Sequence, residues 1–311
     1  MDDITKNMLE KGFTFSGATS FARLPYTREL QDVSVAIVGI PFDLATSNRP
    51  GARFGPRGIR EISIFASKAL QFGFGQWPWD HNPLETHQVI DYGDITYLLG
   101  SQESMLKEVE HHLSLMLEAG VSPLIFGGDH FISYPVLEAF GKKYKNMSLI
   151  HFDSHTDTYP TNPKTHGCMF YDTAVEGIID PEKSVQIGIR FPYLPDLKYH
   201  ILDANRIQEE GPDKIAEAVK RIVGNNPAYL TFDIDFLDPA YAPGTGTPEI
   251  GGPTTYFARR LLRGLSGLNI VGADIVEVSP PYDSAGQITT LAAAQLAVDI
   301  LYLLCAARPK L

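Results

Sequence analysis

Two hydrophobic patterns alternate along this chain. Short runs that are continuously apolar and β-branched read as strands buried on both faces: VSVAIVGI (33–40), SPLIFGG (122–128), MSLIHFD (147–153), SVQIGIR (184–190), AYLTFDID (228–235) and NIVGADIVEV (269–278). Between them, SQESMLKEVEHHLSLMLEAG (101–120), PDKIAEAVKRIVG (212–224) and TTYFARRLLRGLSG (254–267) carry helical spacing, the first closed by a glycine. Strand followed by helix, repeated several times, predicts an α/β fold with a mainly parallel sheet covered on both faces. No polar linker or low-complexity tract divides the 311 residues. We expect a single domain over 31–311, preceded by an N-terminal extension over 1–30. The stretch TTLAAAQLAVDILYLLCAA (289–307) is long enough to span a bilayer. It contains Gln295 and Asp299 and is rich in alanine, so it reads as a packed terminal helix.

Composition narrows the partners. A formal net charge of -11 argues against nucleic acid, whose phosphates call for a basic surface, and is compatible with a cationic substrate. Cys168 and Cys305 are too few for a disulfide framework, so a reducing compartment, the cytoplasm, is the simpler expectation. Asp2, Asp3 and Glu10 at the N-terminus, with no basic region before an apolar segment, do not make a signal peptide.

Chemistry concentrates in three segments: GGDH ending at His130, HFDSHTD from His151 to Asp157, and TFDID ending at Asp235. Asp153, His155 and Asp157 alternate, as do Asp233 and Asp235, so in an extended chain each set emerges on one side. Carboxylates converging at the end of a parallel sheet repel and raise one another's pKa unless a cation neutralises them. Four aspartates, Asp153, Asp157, Asp233 and Asp235, match the charge of two divalent ions. Oxygen-rich ligation with one histidine per ion (His130, His155) favours manganese over zinc. The bland alternative for any one of these segments is a capped loop. Two such ions acidify a shared water, which makes a hydrolase the expected class. His166, in THG just beyond, is placed in sequence to relay a proton to a leaving amine, or is a plain loop histidine. Glu277, after NIVGADIV, reaches a strand end where a carboxylate can take a guanidinium fork, or it caps the next segment. Two loops rich in turn residues, 43–60 with four arginines and 238–253, match no nucleotide-binding loop, and the bland reading of both is a rigid surface connection.

GGDH, HFDSHTDT, THGCMF and FDIDFLDPAYAPGTGTPEIGG resemble the ureohydrolase family, which includes arginases and agmatinases. GIPFDLATSNRPGARFGP, EGIIDPEKSVQIGIR and DIVEVSPPYD are most similar to agmatinases of bacterial type, and the resemblance runs from about Leu24 to the C-terminus. It implies a three-layer α/β/α sandwich around a mostly parallel eight-stranded sheet, assembled as a homotrimer or homohexamer. It implies two Mn2+ per subunit, one held by His130, Asp153, Asp157 and Asp233, the other by Asp153, His155, Asp233 and Asp235. It makes His166 the proton shuttle and Glu277 the guanidinium partner, with Asp235 also orienting the nucleophile. The implied reaction is hydrolysis of agmatine to putrescine and urea, a step of polyamine metabolism. Ser154 departs from the alanine common in this motif, and its hydroxyl is expected to leave the ligands in place. Cys168 is expected to be a packing residue. If Lys164 faces the pocket mouth, a carboxylate-tailed guanidine such as 4-guanidinobutyrate or 3-guanidinopropionate is the better substrate. The loop NRPGARFGP is expected to be structural or at a subunit contact, unless Arg49 and Arg53 approach the entrance. A non-catalytic, metal-binding regulatory role would go with loss of a ligand or of His166, and none is lost.

Overall fold

Every strand predicted above forms, because each apolar run has a helix-covered layer on both sides to bury into. The computed structural model describes residues 5–6, 12–191 and 197–309. The strands are β1 (Val35–Gly39), β2 (Val89–Asp94), β3 (Ser122–Phe126), β4 (Ser148–Phe152), β5 (Val185–Ile187), β6 (His200–Leu202), β7 (Ala228–Asp233) and β8 (Ile270–Val276). They form one sheet in the order β2-β1-β3-β8-β7-β4-β5-β6, and all its pairings are parallel. The helices are α1 (Gly55–Ala66), α2 (Gln102–Glu118), α3 (Ser133–Lys143), α4 (Met169–Val175), α5 (Ala204–Val223), α6 (Thr255–Gly264) and α7 (Ile288–Ala306), with a further turn at Lys68–Gln71.

Alternate residues along each strand serve different layers. In β1, Val35 and Ile37 belong to the core layer that also holds residues of α1, α5, α6 and α7, whereas Ala36 and Val38 belong to the one that holds residues of α2, α3 and α4. The result is a three-layer α/β/α sandwich. α7 is the apolar stretch long enough to cross a bilayer, yet 15 of its 19 residues are buried inside the protein. Its one acid, Asp299, accepts from Arg259 Nε at 2.6 Å and Trp79 Nε1 at 2.9 Å, so the buried charge is paired.

Several elements escape the sequence pattern for identifiable reasons. β2 carries two acids and Gly93 at φ +84°, and its register slips beside Val38, so no clean period survives. Asp91 of β2 accepts from Phe21 N at 2.7 Å and Arg60 Nε at 2.9 Å, which ties the N-terminal segment to the sheet. β6 is a three-residue edge strand with His200 exposed. α1 begins in the glycine- and proline-rich loop, with Pro56 in its first turn, where the missing N–H costs nothing. A Cβ on Gly55 would lie 2.7 Å from Val278 O, so glycine there permits the helix to approach the end of β8. α5 starts at Ala204, earlier than the pattern suggests, because Gly211 at φ +77° and Pro212 break it internally.

Candidate metal centre

Four neighbouring strands, β3, β8, β7 and β4, deliver the chemistry at their carboxyl ends. His130 follows β3, Glu277 follows β8, Asp233 ends β7, and Asp153, His155 and Asp157 follow β4. The loop after β7 is a short 3-10 turn, Ile234–Phe236, in which Asp233 accepts from Asp235 N at 2.8 Å. That turn brings Asp235 back toward the cluster.

Two groups of potential ligand atoms result. His130 Nδ1 lies 3.2 Å from Asp153 Oδ2, 2.9 Å from Asp157 Oδ2 and 3.2 Å from Asp233 Oδ2. His155 Nδ1 lies 3.3 Å from Asp153 Oδ1 and 3.2 Å from Asp235 Oδ2. Asp153 thus contributes one oxygen to each group. The alternation expected for Asp153, His155 and Asp157 is not that of a strand. β4 stops at Phe152, and Asp157 reaches His130 through a left-handed backbone at φ +50°. Glu277 is also left-handed, at φ +60°. Both conformations cost roughly 1–3 kcal/mol and fall on candidate site residues.

The residues fit a cation. His130 Nδ1 is buried and has no hydrogen-bond partner, although three carboxylate oxygens surround it; its other nitrogen meets Thr231 Oγ1 at 2.8 Å. Burial and the neighbouring Asp235 and Asp153 push the Asp233 carboxyl well above the usual range. Burial and Asp153 also raise that of Asp235. Burial works against a charged His155, but Asp235 and Asp153 push it up to about 12. The cluster therefore holds protons where it lacks positive charge, which is the frustration a divalent ion relieves. Ser154 does more than leave the ligands in place: its hydroxyl donates to Asp235 Oδ1 at 2.6 Å, alongside its own N–H at 3.1 Å.

Above the cluster opens a cavity of about 490 Å3, walled by Ser47, Arg49, Tyr159, His166, Phe191 and Glu249 among others, with His155, Asp157 and Asp233 reaching it. His166 Nδ1 is 2.7 Å from Glu277 Oε1, which also accepts from His130 N at 2.9 Å. Glu277 Oε2 is buried without a partner. Burial opposes protonation of His166, but Glu277, with Asp157 and Asp129, raises it to about 9. Ser47 N donates to His166 Nε2 at 3.0 Å and Ser47 Oγ lies 2.7 Å from it. The amide requires a lone pair on Nε2, so protonation must break that bond, whereas the hydroxyl can turn to accept.

Both turn-rich loops are walls of the site. Asp129 Oδ2 accepts from Ala45 N at 2.8 Å and so fixes the loop that carries Ser47. A Cβ on the adjoining Gly128 would overlap Phe42 O at 1.6 Å, so only glycine admits that approach. Arg53 is tied to Asp43, at 2.5 Å through its Nε, and is structural, whereas Arg49 lines the cavity with its guanidinium over the Tyr282 ring. Arg190 threads the 238–253 loop, donating to Asp235 O at 2.7 Å and Glu249 O at 2.9 Å. Lys164 turns away from the cavity. Its Nζ is 3.5 Å from the centre of the Tyr134 ring and 3.4 Å from both Asp172 Oδ2 and Glu176 Oε1. Cys168 is buried beside the 165–168 turn, and burial pushes its thiol up to about 11, which leaves a packing role.

Asp129, His151, Gln186, Arg190 and Ser47 are the parts that sequence reasoning passes over. Only His151 carried a signal, a histidine inside an otherwise apolar strand run.

Known proteins resemble this chain in sequence and fold. The arginase family model matches residues 33–302. An agmatinase from Enterobacter sp. (strain 638) is 47% identical over 93% of this chain and 94% of its own length. The crystal structure of a hypothetical agmatinase from Burkholderia thailandensis superposes with a TM-score of 0.90 at 44% identity, covering 94% of this chain and 92% of that one. Proclavaminate amidino hydrolase from Streptomyces clavuligerus gives 0.88 at 33% identity, covering 96% and 100%.

Proposed function

From the premise that this chain belongs to the arginase family and is an agmatinase-like amidinohydrolase, we propose that it hydrolyses agmatine to putrescine and urea with two Mn2+ per subunit. The observation that carries the proposal is Glu277. One of its oxygens is buried and unpartnered, while the other meets His166, which lines the cavity, and the backbone of His130 in the ligand cluster. A guanidinium is the group that satisfies such an oxygen with N–H donors and matching charge. His130, Asp153, Asp157 and Asp233 would hold one ion, and Asp153, His155, Asp233 and Asp235 the other. When bound, such ions supply an acidified water and electrostatic stabilisation of the attacked carbon's developing charge.

The chain's own groups do the rest. Glu277 Oε2 takes the guanidinium, while the His130 N–H steadies Oε1. His166 carries its proton on Nδ1 toward Oε1. Once Glu277 accepts from the substrate, the imidazolium form of His166 passes its Nδ1 proton to the departing amine and is left as a neutral ring protonated on Nε2. The Ser47 hydroxyl can accept from Nε2–H on the far side of the ring, so the imidazole keeps its orientation through the transfer. Asp235 Oδ2 faces His155, with Oδ1 committed to Ser154, so it can orient an attacking water only through Oδ2.

The name of the 47% identical relative supports an ammonium tail, and the turned-away Lys164 removes the cation suspected at the mouth. Arg49 on the cavity wall favours the second reading, a carboxylate-tailed guanidine such as 4-guanidinobutyrate or 3-guanidinopropionate. Urea release by manganese-loaded protein, with agmatine, both acids and arginine side by side, separates the two. Preference for agmatine is expected; preference for an acid would reassign the substrate and make Arg49 the first residue to replace. Lys164→Ala is expected to leave the agmatine-to-4-guanidinobutyrate ratio within about fivefold, since a charge paired outside the pocket is worth roughly 0–1 kcal/mol. A larger shift would bring Lys164 to the mouth. Stripping metal is expected to abolish urea release, with Mn2+ but not Zn2+ restoring it; the opposite pattern would reassign the ion.

Two buried free thiols support a reducing, cytoplasmic setting. Phe65, Trp77, Tyr256 and Ile288 are exposed, which supports assembly into the homotrimer or homohexamer the family resemblance implies.

A further inference from the structure

Behind the cluster, away from the cavity, His151 is fully buried near the end of β4, with its ring against Phe170 at 4.5 Å and His130 at 5.3 Å. Its Nε2 is 2.7 Å from Asp153 Oδ2, and its Nδ1 is 3.1 Å from the Gln186 side-chain nitrogen. By proximity alone, His151 joins His130, Asp153 and Asp157 as a potential ligand. The hydrogen bonds decide otherwise. Gln186 Nε2 also donates to Thr156 O at 2.6 Å, and a carbonyl can only accept, so the amide presents NH2 to this region. His151 Nδ1 therefore receives an N–H and must be the lone-pair nitrogen. The ring proton then sits on Nε2 and points at Asp153 Oδ2. A nitrogen that carries this proton cannot ligate an ion.

We infer that His151 is a positioning residue for the metal centre: Gln186 fixes its tautomer, and its Nε2–H pins Asp153, which offers one oxygen toward His130 and the other toward His155. Asp153 Oδ1 is held by His155 N at 2.7 Å, and Oδ2 by His151. With both oxygens held, rotation about the terminal side-chain torsion is blocked. That torsion is otherwise broad. Because Oδ2 faces His130 and Oδ1 faces His155, a freed Asp153 would misplace an oxygen in both groups at once. Loss of His151 thus weakens both ions together without removing either, on the scale of about 10–100-fold for an outer partner of a ligand.

This inference rests on the metal-centre proposal, and equilibrium dialysis of the loaded, full-length protein against falling free Mn2+ tests the two separately. Wild type is expected to hold two ions per chain. His151→Phe should still hold two at saturation, with the midpoints for both raised about 10–100-fold. His151→Gln, whose amide can donate to Oδ2, should recover most of the loss, and Gln186→Leu, which frees the tautomer and also gives up the bond to Thr156 O, should shift the midpoints the same way. A single ion at saturation in His151→Phe would make His151 a ligand and overturn the inference. Unchanged midpoints in His151→Phe and Gln186→Leu would reduce it to packing. No ion on wild type would overturn the metal-centre proposal, and this inference with it.

Discussion

Asp233→Asn is expected to remove metal and turnover together. The substitution is a clean one here. Asp233 Oδ1 accepts from Asp235 N at 2.8 Å, a bond an asparagine carbonyl can keep, so the turn that carries Asp235 survives. Oδ2, 3.2 Å from His130 Nδ1, is the atom that changes, from an anionic acceptor to an N–H donor facing the cation position. One unit charge about 3 Å from a divalent ion is worth roughly 10 kcal/mol at an effective dielectric of about 20, before desolvation is subtracted. Even a third of that lowers affinity by at least about 10²-fold. Elemental analysis after dialysis at micromolar Mn2+, run beside a urea assay, reads both effects. Full occupancy with full turnover would take Asp233 out of the ligand set.

His166→Ala should do the opposite to the two readouts: metal retained, chemistry lost. The imidazole touches Glu277 and Ser47 and none of the ligand atoms, so two ions should remain bound while kcat falls roughly 10²–10⁴-fold, the usual scale for a positioned acid. The pH profile adds a second signature. Glu277, with Asp157 and Asp129, raises His166 to about 9 against its burial. A raised histidine carries its proton below that value and loses it as pH climbs through it, so kcat/KM should fall on the alkaline side near pH 9. The Ser47 amide, which requires a lone pair on Nε2, pulls that limb downward. In His166→Ala the limb should vanish. A variant that turns over at the wild-type rate, or keeps the limb, would move the proton transfer to another group.

Much of this site was readable before any fold was known, and the reason is chemical. Aspartates and histidines after buried, β-branched runs have few roles apart from a cation, and parallel strands put their ends on one side. His130, Asp153, His155, Asp157, Asp233 and Asp235 do meet, and His166 and Glu277 face each other above them. The route was misread in one respect. Asp157 arrives through a left-handed residue after β4 has ended, a backbone choice that side-chain alternation cannot encode.

Residue types and their local spacing determined the layered α/β architecture, the cluster of candidate ligands and the hydrolytic class, because each follows from what a short segment can bury or must neutralise. Tertiary structure alone decided what depends on separation in space. The sheet order β3-β8-β7-β4 sets segments 147 residues apart within one hydrogen bond of each other, as between His130 and Glu277. The same packing turned Lys164 onto Tyr134, left Arg49 on the cavity wall, and set Gln186 behind His151. No local pattern fixes those contacts, since each depends on which crossover brings which neighbour alongside.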